Sequence, residues 1–168
     1  MAGQLDPIQL MRKIAELEDK INAMRTIEVG GVWQDYAVAW TAATTNPDIG
    51  NGLLIGKYCI IGKTSHVSIR LQARSTTTFG SGNYFLSIPI AAKNNGIGFA
   101  YLGVGHIRNN GIASYPVIIQ LEPYTNATKT TYIIVTTAGT TALYWTPTAP
   151  FTFGNTDLFW MNLTYEIA

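Results

Sequence analysis

Hydrophobic and polar positions follow two different rhythms along the chain. From Pro7 to Thr26 (PIQLMRKIAELEDKINAMRT), Leu10, Ile14, Leu17, Ile21 and Met24 recur at alternating steps of four and three. This spacing lays one apolar seam along a helix, the a/d pattern of a left-handed coiled coil, whose seam must meet another helix. Asp6 can cap the start, Pro7 suits the first helical position, and Gln9 stands three residues after Asp6 as in a capping box. Glu16 and Lys20 form an i, i+4 pair in the favourable order. In this register Lys13 at g and Glu18 at e bridge parallel helices, whereas Lys20 and Arg25 repel. The seam covers fewer than three heptads, and an isolated helix of about 20 residues is marginal in water. The helix is therefore not expected to hold an assembly alone. The competing reading, an amphipathic helix packed on its own domain, calls for a wider apolar stripe than two residues per heptad.

After Gly30-Gly31 the period changes to two. Tyr36, Val38 and Trp40 alternate with alanines and predict a first strand, and Thr44–Gly52 is a turn-rich loop. Leu53–Ile61 shows little alternation, which predicts a strand covered on both faces. Thr64–Arg74 alternates cleanly, with Val67, Ile69, Leu71 and Ala73 on one face and His66, Ser68, Arg70, Gln72 and Arg74 on the other. Further strands are predicted at Tyr84–Ile90, Ile97–Ile107, Ile112–Leu121, Thr130–Thr136 and Leu143–Trp145, with a hairpin at Arg108–Gly111 (RNNG) and a turn at Ala138–Thr140. Asp157–Ile167 closes the series, with Phe159, Met161, Leu163, Tyr165 and Ile167 on one face. Eight or nine strands at about 8–12-residue spacing and no second helix predict an all-β sandwich, with a jelly roll as the expected arrangement. The chain thus divides into a coiled-coil oligomerisation helix, 1–29, and a β-sandwich head, 30–168.

Charge sharpens this division. Residues 1–28 hold nine of the chain's 11 basic and 10 acidic side chains, which leaves the head far poorer in charge than the roughly 25% of an ordinary soluble domain. Such a head is expected to bury surface between subunits. The net charge of +1 gives no field to gather nucleic acid or an anionic membrane. Cys59 is the single cysteine, so no intrachain disulfide forms, and its apolar run predicts a buried, inert thiol. The first residues carry charge where a signal peptide would be apolar, and no run reaches the ~18 apolar residues of a membrane-spanning helix. The expectation is synthesis in a cytoplasm without export by the usual signal and without membrane insertion. Asn126-Ala-Thr and Asn162-Leu-Thr match the glycosylation pattern and are read as chance matches in that setting.

Catalytic and metal chemistry find little support. His66 and His106 are the only histidines; Asp35, Asp48 and Asp157 are all distant in sequence from His66. One cysteine and two scattered histidines do not make a zinc cluster. Asp35, Asp48, Glu122, Asp157 and Glu166 contain no pair that stands out as a glycosidase dyad. Gly80–Phe85 (GSGNYF) precedes a strand, whereas a phosphate-cradling loop follows a strand and opens a helix. The expectation is a protein with no enzymatic activity, no metal and no cofactor. Tyr124 with Asn126, and Trp145 to Phe151, place rings beside amides and hydroxyls, as sugar-binding surfaces do. These four residues are the candidate glycan contacts, against the plainer reading of turn residues tucked into the sandwich rim.

One stretch carries a resemblance. An aromatic strand from Trp33 is followed by Asn46-Pro47, Ile49-Gly50-Asn51-Gly52, Gly56, Tyr58 and Gly62-Lys63, then the alternating strand, the STTTFGSG loop at Ser75–Gly82 and a short strand ending in Pro. Over about residues 33–90 this is similar to head domains of minor tail and tail-appendage proteins of tailed phages infecting actinobacteria. The resemblance implies a trimeric jelly roll behind a stalk, on the virion surface, contacting the host. It also sets the count at three, where Ile at a and Leu at d alone favour a parallel dimer. The expected function is a trimeric tail-tip or tail-fibre head for host attachment, a receptor-binding role in which weak contacts to surface glycan add by avidity. The stalk here is one short helix, which admits a second version: a capsid decoration or head-fibre protein docked on the shell, and so on other virion proteins, through that helix.

Overall fold

The computed structural model describes residues 6–26, 31–135 and 143–168. The turn expected at Ala138–Thr140, the first glycine of the Gly30-Gly31 break and the side chain of Met24 lie outside the described residues. The chain divides into two units, Met1–Val32 and Trp33–Ala168. The first contains helix α1, Pro7–Thr26. The second is an all-β sandwich of ten described strands.

In chain order the strands are β1 (Gln34–Tyr36), β2 (Trp40–Ala42), β3 (Leu53–Ile61), β4 (Thr64–Gln72), β5 (Tyr84–Leu86), β6 (Tyr101–Asn109), β7 (Ala113–Leu121), β8 (Tyr132–Val135), β9 (Leu143–Tyr144) and β10 (Leu158–Glu166). Eight of them form one antiparallel sheet in the order β1-β3-β4-β10-β6-β7-β8-β9. The second layer is the β2–β5 pair, extended by bridges Thr45↔Ser81, Asp48↔Thr78 and Ser87↔Lys129. The strands therefore divide eight to two, not evenly over two sheets as in the expected jelly roll. The reason lies in β10, which pairs with β4 along nine residues and with β6 along five, and so joins two meanders into one sheet.

The alternation in β4 and β10 is what makes the core. Val67, Ile69 and Leu71 of β4 and Phe159, Met161, Leu163 and Tyr165 of β10 are buried on one face, with Ile107, Val117, Ile119, Ile133 and Val135 from the strands beside them. Trp40, Tyr84, Leu86 and Ile88 close the core from the second layer. Gly105 sits where β6 presses on β10: a Cβ there would lie 2.5 Å from the Trp160 carbonyl oxygen and 2.9 Å from a Val117 methyl.

Three expectations change. The single strand expected at Tyr36–Trp40 is two strands, because Tyr36 pairs with β3 while Trp40 pairs with β5. Ile97–Ala100 does not join β6; Gly96 and Gly98 take φ of 106° and 81°, which turns the chain and leaves Ile97 exposed. On β3, Leu53, Lys57 and Ile61 are exposed, so its outer face is not covered along its length. Cys59 is buried and free, on that outer face opposite His66 of β4.

Three phenols lie at the core's edge, Tyr84 and Tyr165 buried and Tyr36 half-buried. Tyr36 donates to the Ser87 carbonyl, Tyr84 to that of Phe79 and Tyr165 to that of Ile90. Burial is the main cause that pushes all three above the ordinary tyrosine value of 10.0, Tyr36 and Tyr84 furthest. A raised folded pKa favours the neutral phenol in the fold. The stability it contributes is complete below about pH 10, where unfolded tyrosine is also neutral, and declines as pH rises beyond that value. Urea midpoints are expected to be level from pH 8 to about 10 and to fall steeply above it; a midpoint still level well above that range would contradict the buried phenols.

Candidate functional site

Helix α1 begins as its sequence dictates. The Gln9 amide donates to Asp6 Oδ1 at 3.0 Å, and the Leu10 amide to the Asp6 carbonyl at 3.0 Å. Lys20 and Glu16 pair at 2.6 Å on the surface, a contact worth a few tenths of a kcal/mol. The seam is open: Leu10, Ile14, Leu17 and Ile21 are 47–56% exposed. Ile8 and Met11, off the seam, are exposed as well. Four branched side chains at heptad spacing are thus uncovered in the single chain.

The outer face of the large sheet has two halves. On β6 to β9, Val104 opposes Ile118, Ile118 opposes Ile134 and Ile134 opposes Tyr144, all across neighbouring strands. Val104 is 67% exposed, Leu102 beside it 64%, and Ile118 and Tyr144 also face outward exposed. On β3, β4 and β10 the same face is polar and aromatic. There Ile55, Arg70, Trp160 and His106 form one row; Lys57, Ser68 and Asn162 the next; Leu53, Gln72 and Leu158 the row on the other side. Three adjoining hollows run over these rows. One of about 290 Å³ is lined by Leu53, Arg70, Gln72 and Trp160, one of about 270 Å³ by Ile55, Lys57, Ser68 and Arg70, and one of about 380 Å³ by Trp33, Lys57, Ser68 and Asn162.

Of the four loop residues expected to meet glycan, the structure splits the set. Tyr124 is exposed. The Asn126 side chain accepts from the Thr128 amide and hydroxyl, and Asn126 lines a hollow of about 310 Å³ with Phe85, Thr125, Lys129 and Tyr132. Lys129 Nζ stands 4.4 Å from the Phe85 ring centre. Trp145 does not belong to a surface: it is 1% exposed, stacked on Phe159 at 4.4 Å and on Trp40 at 6.1 Å, with Tyr84 against its edge at 4.7 Å. No ring face is left for a sugar. Phe151 packs on Tyr115 and Phe153 at the core rim. Trp145 is thus a core residue, and Phe151 is half-buried.

His66 Nδ1 meets the Thr164 hydroxyl at 3.1 Å, and His106 lies against Trp160 at 4.9 Å between ring centres. Among the described residues no three His, Cys, Asp or Glu side chains gather as metal ligands. Lys93 and Glu166 form a surface pair at 2.6 Å, each holding the other charged: the carboxyl below its ordinary value and the ammonium above.

The chain thus combines a helix whose apolar seam is open with an antiparallel sandwich head whose outer face is apolar on one half and polar and aromatic on the other. Comparison with protein-family models, with curated proteins and with solved structures returned no match.

Proposed function

We propose that this chain is a structural protein of a phage virion surface, a homotrimer joined along its N-terminal helix and through its heads, that serves host attachment at a tail tip or fibre. The observation that carries the reading is the open seam of Leu10, Ile14, Leu17 and Ile21. Exposed apolar residues cost solubility unless a partner covers them, and at heptad spacing the fitting partner is a copy of the same helix. The apolar strip around Leu102 and Val104 supplies a second surface for copies to share, in keeping with the head's scarcity of charge. The resemblance over residues 33–90 supplies the phage setting and the count of three.

Light scattering of the purified full chain tests the assembly. The expected result is three times the chain mass; a monomer at micromolar concentration removes the reading. Antibody against the head, imaged by electron microscopy on phage particles, tests the place. Label at the tail tip supports attachment, and label over the capsid shell transfers the proposal to a decoration protein docked by α1.

A further inference from the structure

The hollows over β3, β4 and β10 form one groove. Neighbouring hollows share lining residues: Arg70 joins the first to the second, and Lys57 with Ser68 join the second to the third. From the Gln72 row to the Ser68 row the strand advances four residues, about 13 Å at roughly 3.3 Å per residue. That is longer than one sugar ring. An indole stands on each side, Trp160 on β10 and Trp33 just before β1 at the far edge. Trp160 lines the first hollow and Trp33, 52% exposed, lines the third. The Asn162 amide and the Ser68 hydroxyl lie with Trp33 in the third hollow, and the Gln72 amide lies in the row beyond Trp160, all on the same outer face.

The charges divide. Lys57 is engaged by Asp35 at 3.5 Å. Arg70 is exposed and has no hydrogen-bond or ion-pair partner among the described residues. An unpaired guanidinium beside an indole is a fork that fits an anion with two adjacent acceptor oxygens, since Arg matches carboxylate and phosphate with two parallel donors. A nucleic acid would bring a charge at every nucleotide and would need a row of cations; among the described residues this groove has one unpaired cation, beside an indole and neutral hydrogen-bonding groups. Flat apolar rings with a few placed polar groups suit a carbohydrate.

We infer that this groove binds an acidic oligosaccharide, with Arg70 holding its carboxylate or phosphate and Trp160 and Trp33 packing on the flanking sugar rings. The inference deepens the attachment reading above by naming the ligand class and its place on the head.

The test is titration of the full chain, followed by calorimetry and tryptophan emission, with four probes: a galacturonate trimer, a phosphorylated mannose pentasaccharide, maltotriose and a ten-nucleotide oligothymidylate. One acidic saccharide is expected to bind and shift the emission, and which one binds identifies the anion. Maltotriose is expected to bind at least about tenfold more weakly. Arg70→Gln is expected to lose at least about tenfold in affinity, with Ser68→Glu abolishing binding by placing a negative charge in the groove. Circular dichroism of both variants should match the parent, because neither side chain has a hydrogen-bond partner to lose among the described residues. Failure of both acidic probes at millimolar concentration overturns the inference, as does full affinity in Arg70→Gln or tighter binding of oligothymidylate. Mass on the same samples separates the two proposals. A monomer that binds acidic saccharide retains the groove and loses the trimer, while a trimer indifferent to both acidic probes loses the groove alone.

Discussion

Replacing Trp145 by alanine is expected to destabilise the head by about 3–5 kcal/mol, the range for truncating a large buried aromatic. The residue is among the largest fully buried side chains. It ties four strands of the sandwich together: its ring stacks on Phe159 of β10 and Trp40 of β2, its amide donates to Ile133 of β8, and its carbonyl accepts from Tyr84 of β5. Removal of the ring leaves a cavity that those rigid neighbours cannot close. Against a typical total of about 5–15 kcal/mol, the variant should be marginal at room temperature and show a greatly lowered urea midpoint. Tyr124→Ala, at an exposed loop position, is expected to stay within about 0.5 kcal/mol of the parent. Equal midpoints for the two variants would mean that Trp145 is not the keystone between the layers.

The second large effect concerns assembly. Ile14→Asp with Leu17→Asp is expected to leave each chain folded, since both side chains are exposed in the single chain, and to break the association. Burying an Ile or Leu side chain is worth about 1.5–3 kcal/mol, so two per chain correspond to at least about a hundredfold in dissociation constant. Sedimentation over a concentration series reads this directly. The parent oligomer should persist where the double variant has dissociated. Unchanged sedimentation would place the whole of the assembly in the heads and leave the seam without that role.

What the sequence revealed depended on whether the information was local. Strands β4 and β10 were legible because nine residues of strict alternation admit one burial pattern, and that pattern is observed. The cap of α1 was legible because Asp6 and Gln9 lie within one turn. The break between β1 and β2 was not, since it follows from a change of partner, from β3 to β5, which alternation with alanines does not encode. Trp145 was misplaced for a related reason. β9 before it has two residues, too few to show a period, and Pro147 and Pro150 after it mimic a surface loop. The groove was hidden because Arg70 and Trp160 are ninety residues apart and become neighbours only through the pairing of β4 with β10. On β4 alone, Arg70 is an ordinary member of a solvated face.

That pairing also orders events during synthesis. β4 and β6 are both made well before Leu158–Glu166. Until that segment leaves the ribosome, each of them presents a raw edge of unpaired amides and carbonyls to whatever strand comes near. The nascent head is thus two half-sheets awaiting a shared wedge, and contacts across so long a stretch of chain form slowly. At high expression the hazard lies in this interval: neighbouring nascent chains can lend one another a strand. Slower translation, cooler growth or a chaperone that shields open edges should raise the soluble yield more than any substitution in the finished core.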